Sequence, residues 1–349
     1  MVYGHMLQFW IRPEDFWLKY WLYAFLAPIG ATGFLFISGV SATLAYKSNQ
    51  QTQKVQMKTM RNIYLLRAFF ILIIALCFNF GVAMVFGGGN LADTWSWNAL
   101  QTIAISLLLA WPLLKTSKIF RVSIATIAII LNQILLIMLS PESGESSLLG
   151  IVYHILFNPI DTYVILNYFG IVIIGSVIGD YIFDLRNVDD QKKKEFLLTN
   201  RAIIYSLFIS IFVFLFGILF LFPNFLTFNS ISSVLYALGF IIAALAILIV
   251  IEILEIIKTK KSYRFLYFYS YYSFTIFLGH NVLLVLFMQQ LNAYFTIWVA
   301  IVAFNIILGW LLKTMHNKLG IRASVKAGIS ILSGFIAMKI EKKAILKYK

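Results

Sequence analysis

His280 stands inside the aromatic and aliphatic run YFYSYYSFTIFLGHNVLLVLFMQQ, which begins at Tyr267 and leads to Leu291. An ionisable side chain within a membrane-spanning helix costs several kcal/mol unless a cavity or partner receives it, so it marks a functional site by default. The plainer reading is a histidine satisfied by one hydrogen bond to a neighbouring helix. His5 lies in MVYGHMLQFW, next to Tyr3 and Gly4. Imidazole is the side chain best matched to general acid–base work near neutral pH, although a lone histidine at a helix end also serves as an interfacial hydrogen-bonding group. His280 and His5 are the candidate catalytic residues. Arg67, in RNIYLLRAFFIL, is set deeper in an apolar segment than Arg61. A guanidinium fork makes bidentate hydrogen bonds to phosphate oxygens, so Arg67 and Arg61 either bind a phosphorylated ligand or snorkel to lipid phosphate. Gln101 and Asn79, like Ser106, Asn132 and Asn167, are uncharged polar residues inside apolar segments. Such side chains either contact substrate or join helices for about 1 kcal/mol each. His154 and Asp161 interrupt the apolar stretch LLGIVYHILFNPIDTYVIL together with Asn158 and Pro159, and are further candidates for substrate binding. His5, His154 and Asp161 have neither helical ligand spacing nor a cysteine beside them, so no metal is expected. No nucleophile elbow, phosphate-cradling loop or nucleotide fingerprint is present; the GGGN after Phe86 does not join a strand to a helix.

These residues need a membrane bundle to position them. The chain has 349 residues, 61% hydrophobic and 12% charged, whereas soluble domains carry about 25% charged residues. The expected fold is all-α, a single integral membrane domain over residues 1–349. About nine segments are apolar over the roughly 20 residues that a spanning helix needs, near 21–46, 62–86, 98–114, 119–139, 164–184, 202–222, 231–257, 265–290 and 294–313. A net charge of +14 in a soluble chain would suggest nucleic acid. Here the lysines and arginines fall in every second short loop, as in Lys47 to Arg61, Lys115 to Arg121 and Arg186 to Arg201, with no interleaved basic and aromatic module. The lipid bilayer, not nucleic acid, is the expected partner, and the basic loops and the C-terminus are cytoplasmic by the positive-inside rule. Counting back places the N-terminus outside, yet MVYGHMLQFWI is only half a span. Either it is the outer end of a first helix whose inner half is missing, or a short tail crosses unaided. The basic tail 315–349 contains AGISILSGFIAMKI, short enough for an interfacial helix. Cys77 is the single cysteine and forms no internal disulfide.

Several stretches, taken in order, resemble one known family. MVYGHMLQFW resembles the end of the first helix of membrane acyltransferases, where an apolar run leads to a histidine. PIGATGFLFISGVSATLAY is similar to the second helix of the heparan-alpha-glucosaminide N-acetyltransferase catalytic domain family. The likeness continues through RNIYLLRAFFILIIA, WNALQTIAISLLLAWPLL and DTYVILNYFGIVIIGSVIGDYIF, and closes with YSYYSFTIFLGHNVLLV. It covers Met1 to about Leu286. The resemblance implies acyl transfer across the membrane from cytoplasmic acyl-CoA, with acetyl as the expected acyl group, to a sugar or other hydroxyl or amine acceptor. His5 then aligns with the first-helix histidine, Arg67 with the second-helix arginine and His280 with the late-helix histidine. Gln101 departs from the pattern, since the family usually has a histidine there. The expected setting is a multi-pass protein of the cell membrane, with a homodimer allowed. A transporter or flippase for a sugar- or lipid-linked solute is the competing reading, because intramembrane His and Arg serve transport as readily as catalysis.

Overall fold

The computed structural model describes residues 2–86, 89, 91–158, 163–188, 203–253, 264–280 and 286–341. Asp161 therefore lies outside the described residues. Among the described residues the chain is helical, with a single type of non-helical pairing, the isolated bridge between Ile11 and Leu291. Among the described residues seven helical stretches are long and apolar enough to cross a membrane, which fits the all-α expectation but is fewer than the nine segments read from the sequence. The segment near 98–114 forms the shorter Ala99–Leu113. The segment near 265–290 is not one helix: Arg264–Tyr271 and Ser273–Gly279 are separated at Tyr272, and residues 286–291 are non-helical.

We number the helices in chain order: α1 Val2–Trp10, α2 Phe16–Ala27, α3 Gly33–Thr52, α4 Met57–Phe86, α5 Ala99–Leu113, α6 Lys118–Leu139, α7 Leu148–Phe157 and α8 Ile165–Arg186. There follow α9 Ser206–Phe220, α10 Ile231–Ile253, α11 Arg264–Tyr271, α12 Ser273–Gly279, α13 Thr296–Leu319 and α14 Val325–Ile340. Several starts are written in the sequence as side-chain caps. The side-chain oxygens of Asn98, Ser117, Ser147 and Ser324 accept from the backbone N–H of Gln101, Phe120, Gly150 and Ala327, which satisfies donors that a helix start leaves open.

Close approach of small residues sets the centre of the bundle. A Cβ on Gly39 of α3 would run into the carbonyl of Val172, and one on Gly175 of α8 into the carbonyl of Phe36. Glycine at both positions lets the two backbones touch, the means by which membrane helices gain packing energy where water offers no hydrophobic drive. Leu35, Phe36, Val40, Ile171 and Val172 then form the buried core between them, joined by Ile129 of α6 and Val234 and Leu238 of α10.

The same pairing closes a buried charge cluster at one end. Arg121 and Asp180 are each 1% exposed and form an ion pair. Lys47 stands 3.5 Å from the same carboxylate, and the Arg121 guanidinium donates to the carbonyl and hydroxyl of Ser176 at 3.2 and 3.1 Å. One turn on, Lys118 pairs with Asp184 at 2.5 Å. Tyr46, Tyr64 and Trp111 pack beside this cluster, so the ends of α3, α4, α5, α6 and α8 that carry basic residues lie together. We call this the basic end. α14 lies along α4: Glu341 accepts from Thr59 and Asn62 at 2.6 and 2.9 Å, Ser330 meets Arg67, and Ile329 shares a core with Ala75. The two helices are thus antiparallel, and the stretch read as interfacial is packed against a span.

Candidate active site

His5 and His280 meet. Their ring centroids are 4.9 Å apart and their planes tilt by 49°. His280 is 5% exposed and caps the C-terminal end of α12. Its Nδ1 bonds the carbonyl of Phe277. A carbonyl only accepts, so Nδ1 carries the hydrogen and Nε2 holds the lone pair. That Nε2 is buried and has no hydrogen-bond partner. His5 is half-buried, stacks on Phe9 one turn along at 5.9 Å, and its Nδ1 is likewise buried without a partner. Two imidazole nitrogens thus lie close together in adjacent rings, each free of any hydrogen bond to the protein.

The pair is held by contacts that join residues 6–15 to residues 289–297. Gln289 and Leu291 donate backbone N–H groups to the carbonyls of Phe9 and Trp10, both at 2.8 Å, and Arg12 N–H donates to Leu291 at 3.0 Å. The Arg12 side chain adds a 3.0 Å bond to Gln290, 278 positions away, and Asp15 accepts from the N–H of Ala293 at 2.9 Å. Met6, Leu7, Trp10 and Ile11 bury themselves against Ala293 and Ile297 of the α13 start. The break at Tyr272 is fastened as well: its hydroxyl donates to Gly320 at 2.9 Å, and Thr275 donates to Ala323 at 3.2 Å.

Asn79 and Gln101 also meet. Asn79 Nδ2 donates to Gln101 Oε1 at 2.9 Å and to the carbonyls of Ser96 and Thr94 at 2.6 and 3.2 Å, while Asn98 donates to Asn79 Oδ1. Gln101 is fully buried, and its Nε2 has no partner. Leu100 packs with Ala75 and with Phe274 of α12, bordered by Phe277 and Leu278, so this amide pair flanks the helix that carries His280. The opposite end from the basic cluster is closed by the loop 91–98, where Trp95 and Trp97 donate their indole N–H groups to the carbonyl of Ile155 at 3.0 and 2.9 Å. His154 Nε2 bonds the carbonyl of Ala92 at 3.3 Å, which gives it a role in holding this loop.

The arginines stand apart from the histidines. Arg67 is exposed and donates to Ser330 Oγ at 2.5 Å; Arg61 is exposed one and a half turns or so nearer the helix start. Arg67 and Asn79 share α4, about 18 Å apart at 1.5 Å per residue. Sequence reasoning did not single out Arg121 and Asp180. The signal was there: Asp180 is an acid within the apolar Ile165–Arg186 span, and such residues are rare unless paired. Among the described residues no cluster of three or more His, Cys, Asp or Glu could hold a metal ion.

Helical stretches long and apolar enough to cross a membrane, with buried polar groups between them, mark a multi-pass membrane protein. The sequence matches the family described as heparan-alpha-glucosaminide N-acetyltransferase, catalytic, over residues 1–203. This chain belongs to that family, a group of the membrane acetyltransferase type. His5, Arg61, Arg67, Asn79, Gln101 and His154 fall within the matched stretch, and His280 beyond it. No curated protein and no solved structure matches the chain.

Proposed function

We propose that the protein moves an acyl group, acetyl in the first instance, from acyl-CoA at the basic end to a hydroxyl or amine acceptor that arrives from the opposite end. The observation that carries this reading is the approach of His5 to His280 with a buried, unpartnered nitrogen on each ring. The lone pair on His280 Nε2 takes the acceptor proton as the acceptor oxygen or nitrogen attacks the thioester carbonyl. The carbon–sulfur bond then breaks, and the imidazolium returns its proton to the departing thiolate, so free coenzyme A leaves. Exclusion of water from the pair protects the thioester from hydrolysis. Gln101 Nε2, buried and unbonded, is a donor suited to a carbonyl oxygen on donor or acceptor. Arg61 and Arg67, with the basic loops, would attract the polyanionic coenzyme. The cell membrane is the proposed location, with the basic end cytoplasmic.

Purified protein incubated with acetyl-labelled acetyl-CoA should release free coenzyme A and transfer label to an acceptor. A transporter releases none. Retention of all label as acetyl-CoA, across hydroxyl and amine acceptors, would overturn the proposal.

A further inference from the structure

Both histidines are tied to the same helix. Asn305 of α13 accepts the Tyr3 hydroxyl on its Oδ1 at 2.5 Å, and its backbone carbonyl accepts the Tyr269 hydroxyl at 3.0 Å. Tyr3 lies two residues before His5 on α1, and Tyr269 lies on α11, which leads through α12 to His280. The Asn305 amide is itself held, donating to the carbonyl of Ile301 at 2.7 Å.

A second set of contacts meets the break between α11 and α12. Tyr272 is 0% exposed and packs with Leu312 of α13. Its hydroxyl has one hydrogen, which goes to the carbonyl of Gly320, so the Nδ1 of His316, 3.1 Å away, donates to the hydroxyl oxygen. His316 stands among the rings of Tyr267, Phe268 and Tyr271, with centroids 6.0, 4.9 and 6.0 Å away. Thr275 is bonded in both directions: its hydroxyl donates to the carbonyl of Ala323 and accepts the N–H of Val325, each at 3.2 Å. Ser324 is buried; its hydroxyl donates to the carbonyl of Tyr271 at 3.1 Å and accepts the N–H of Ala327 at 3.3 Å. Polar groups freed where a span breaks need partners within the protein, and residues 316–325 supply them. Gly320, at φ 52°, gives the chain the left-handed residue with which α13 ends and turns back.

We propose that α13 and the turn after it form the frame that sets the spacing of His5 and His280, with Asn305, Thr275 and Ser324 as positioning residues. From Thr275 to His280 is about 7.5 Å along a helix at 1.5 Å per residue, so an anchor at Thr275 governs where the imidazole stands. Hydrogen bonds are directional and fix the rotation of α12 as well as its contact, which decides where Nε2 points. A misplacement of about 1 Å at a reacting group costs about 10²-fold in rate. The inference rests on the acyl-transfer reading and deepens it by naming what holds the base of that reaction in place.

The test removes these hydrogen bonds while keeping side-chain volume, in the full-length protein in nanodiscs. Thr275→Val and Asn305→Leu should each lower turnover at saturating acetyl-CoA by about tenfold or more, while KM for acetyl-CoA stays within about twofold. Thr275→Ser, which restores the hydroxyl, should recover most of the loss. A second readout needs no turnover: modification of His280 by diethyl pyrocarbonate, followed by peptide mass spectrometry. Buried His280 should react slowly in wild type and in Thr275→Ser, and several-fold faster in Thr275→Val. Should Thr275→Val fail to fold, Tyr272→Phe, which removes only the hydroxyl bound to Gly320, carries both measurements. The inference is overturned if the variants keep wild-type turnover, if their loss lies in KM alone, or if His280 reacts no faster in Thr275→Val than in wild type. Absence of turnover in wild type, with the modification rates as expected, would remove the acyl-transfer reading and leave the frame standing.

Discussion

At the scale of the residue, His280 is oriented by a neighbour three positions back. The Phe277 carbonyl claims the Nδ1 hydrogen, and the basic nitrogen is left facing the bundle interior with nothing to bond. His280→Ala should lower turnover by at least about 10², the usual loss when a general base is removed. Because the change removes a single side-chain bond, that to the Phe277 carbonyl, the melting temperature should shift by only a few degrees. Wild-type turnover in this variant would remove His280 from the chemistry. Arg67 makes a different prediction. Its partner in this structure is Ser330, so Arg67→Ala should weaken coenzyme binding about tenfold, through a lost charge-assisted contact of about 1.4 kcal/mol, while turnover at saturation holds. An unchanged affinity, measured by calorimetry with coenzyme A, would assign Arg67 to α14 alone.

At the scale of the element, α3 and α8 form the tightest pair, and the backbone contact at Gly39 and Gly175 is what makes it so. A side chain larger than hydrogen at Gly175 must push the helices apart, because the obstructing atoms are backbone and not flexible side chain. Gly175→Leu should therefore abolish folded, monodisperse protein in detergent, whereas the same change at Gly4, where nothing lies within 4 Å, should be tolerated. The charge cluster on this pair behaves as a unit. Asp180→Ala leaves Arg121 buried without its carboxylate, which typically costs about 3–5 kcal/mol. Adding Arg121→Leu should restore most of that loss, since an apolar pair of similar volume replaces a buried ion pair at little cost. A double variant no more stable in thermal unfolding than Asp180→Ala would show that the two charges are not coupled.

At the scale of the whole molecule, the site is split between the first helix and one late in the chain. α1 supplies His5, His280 caps α12, and Gln289 and Leu291 are stitched to the end of α1 by backbone hydrogen bonds. Along α4, Arg67 lies toward the basic end and Asn79 toward the loop 91–98, with Ala75 between them packed against Phe274 of α12. On the proposed topology, a cysteine replacing Thr116 beside Lys115 should react with a membrane-impermeant maleimide only after the membrane is opened, in a background where Cys77 is alanine. A cysteine replacing Ser143 in the acidic loop should react in intact cells. The reverse pattern would invert the bundle and, with it, the sides assigned to donor and acceptor.

What the residues alone decided is the medium and the cast. An apolar fraction of 61% with lysine and arginine concentrated in alternate loops points to a polytopic helical bundle, because each span must satisfy its own backbone bonds in lipid. His5, His280, Asn79 and Gln101 were legible as polar groups in apolar runs, since burial there demands a partner or a cavity. Which of them meet was not legible. Ring contact between His5 and His280, the Asn79–Gln101 bond and the attachment of Arg67 to α14 all join residues distant in sequence, and hydrophobic periodicity carries no information about which faces pair. The break of the late span at Tyr272 and the Arg121–Asp180 pair belong with these: both are set by partners on other helices, so only the tertiary structure could decide them.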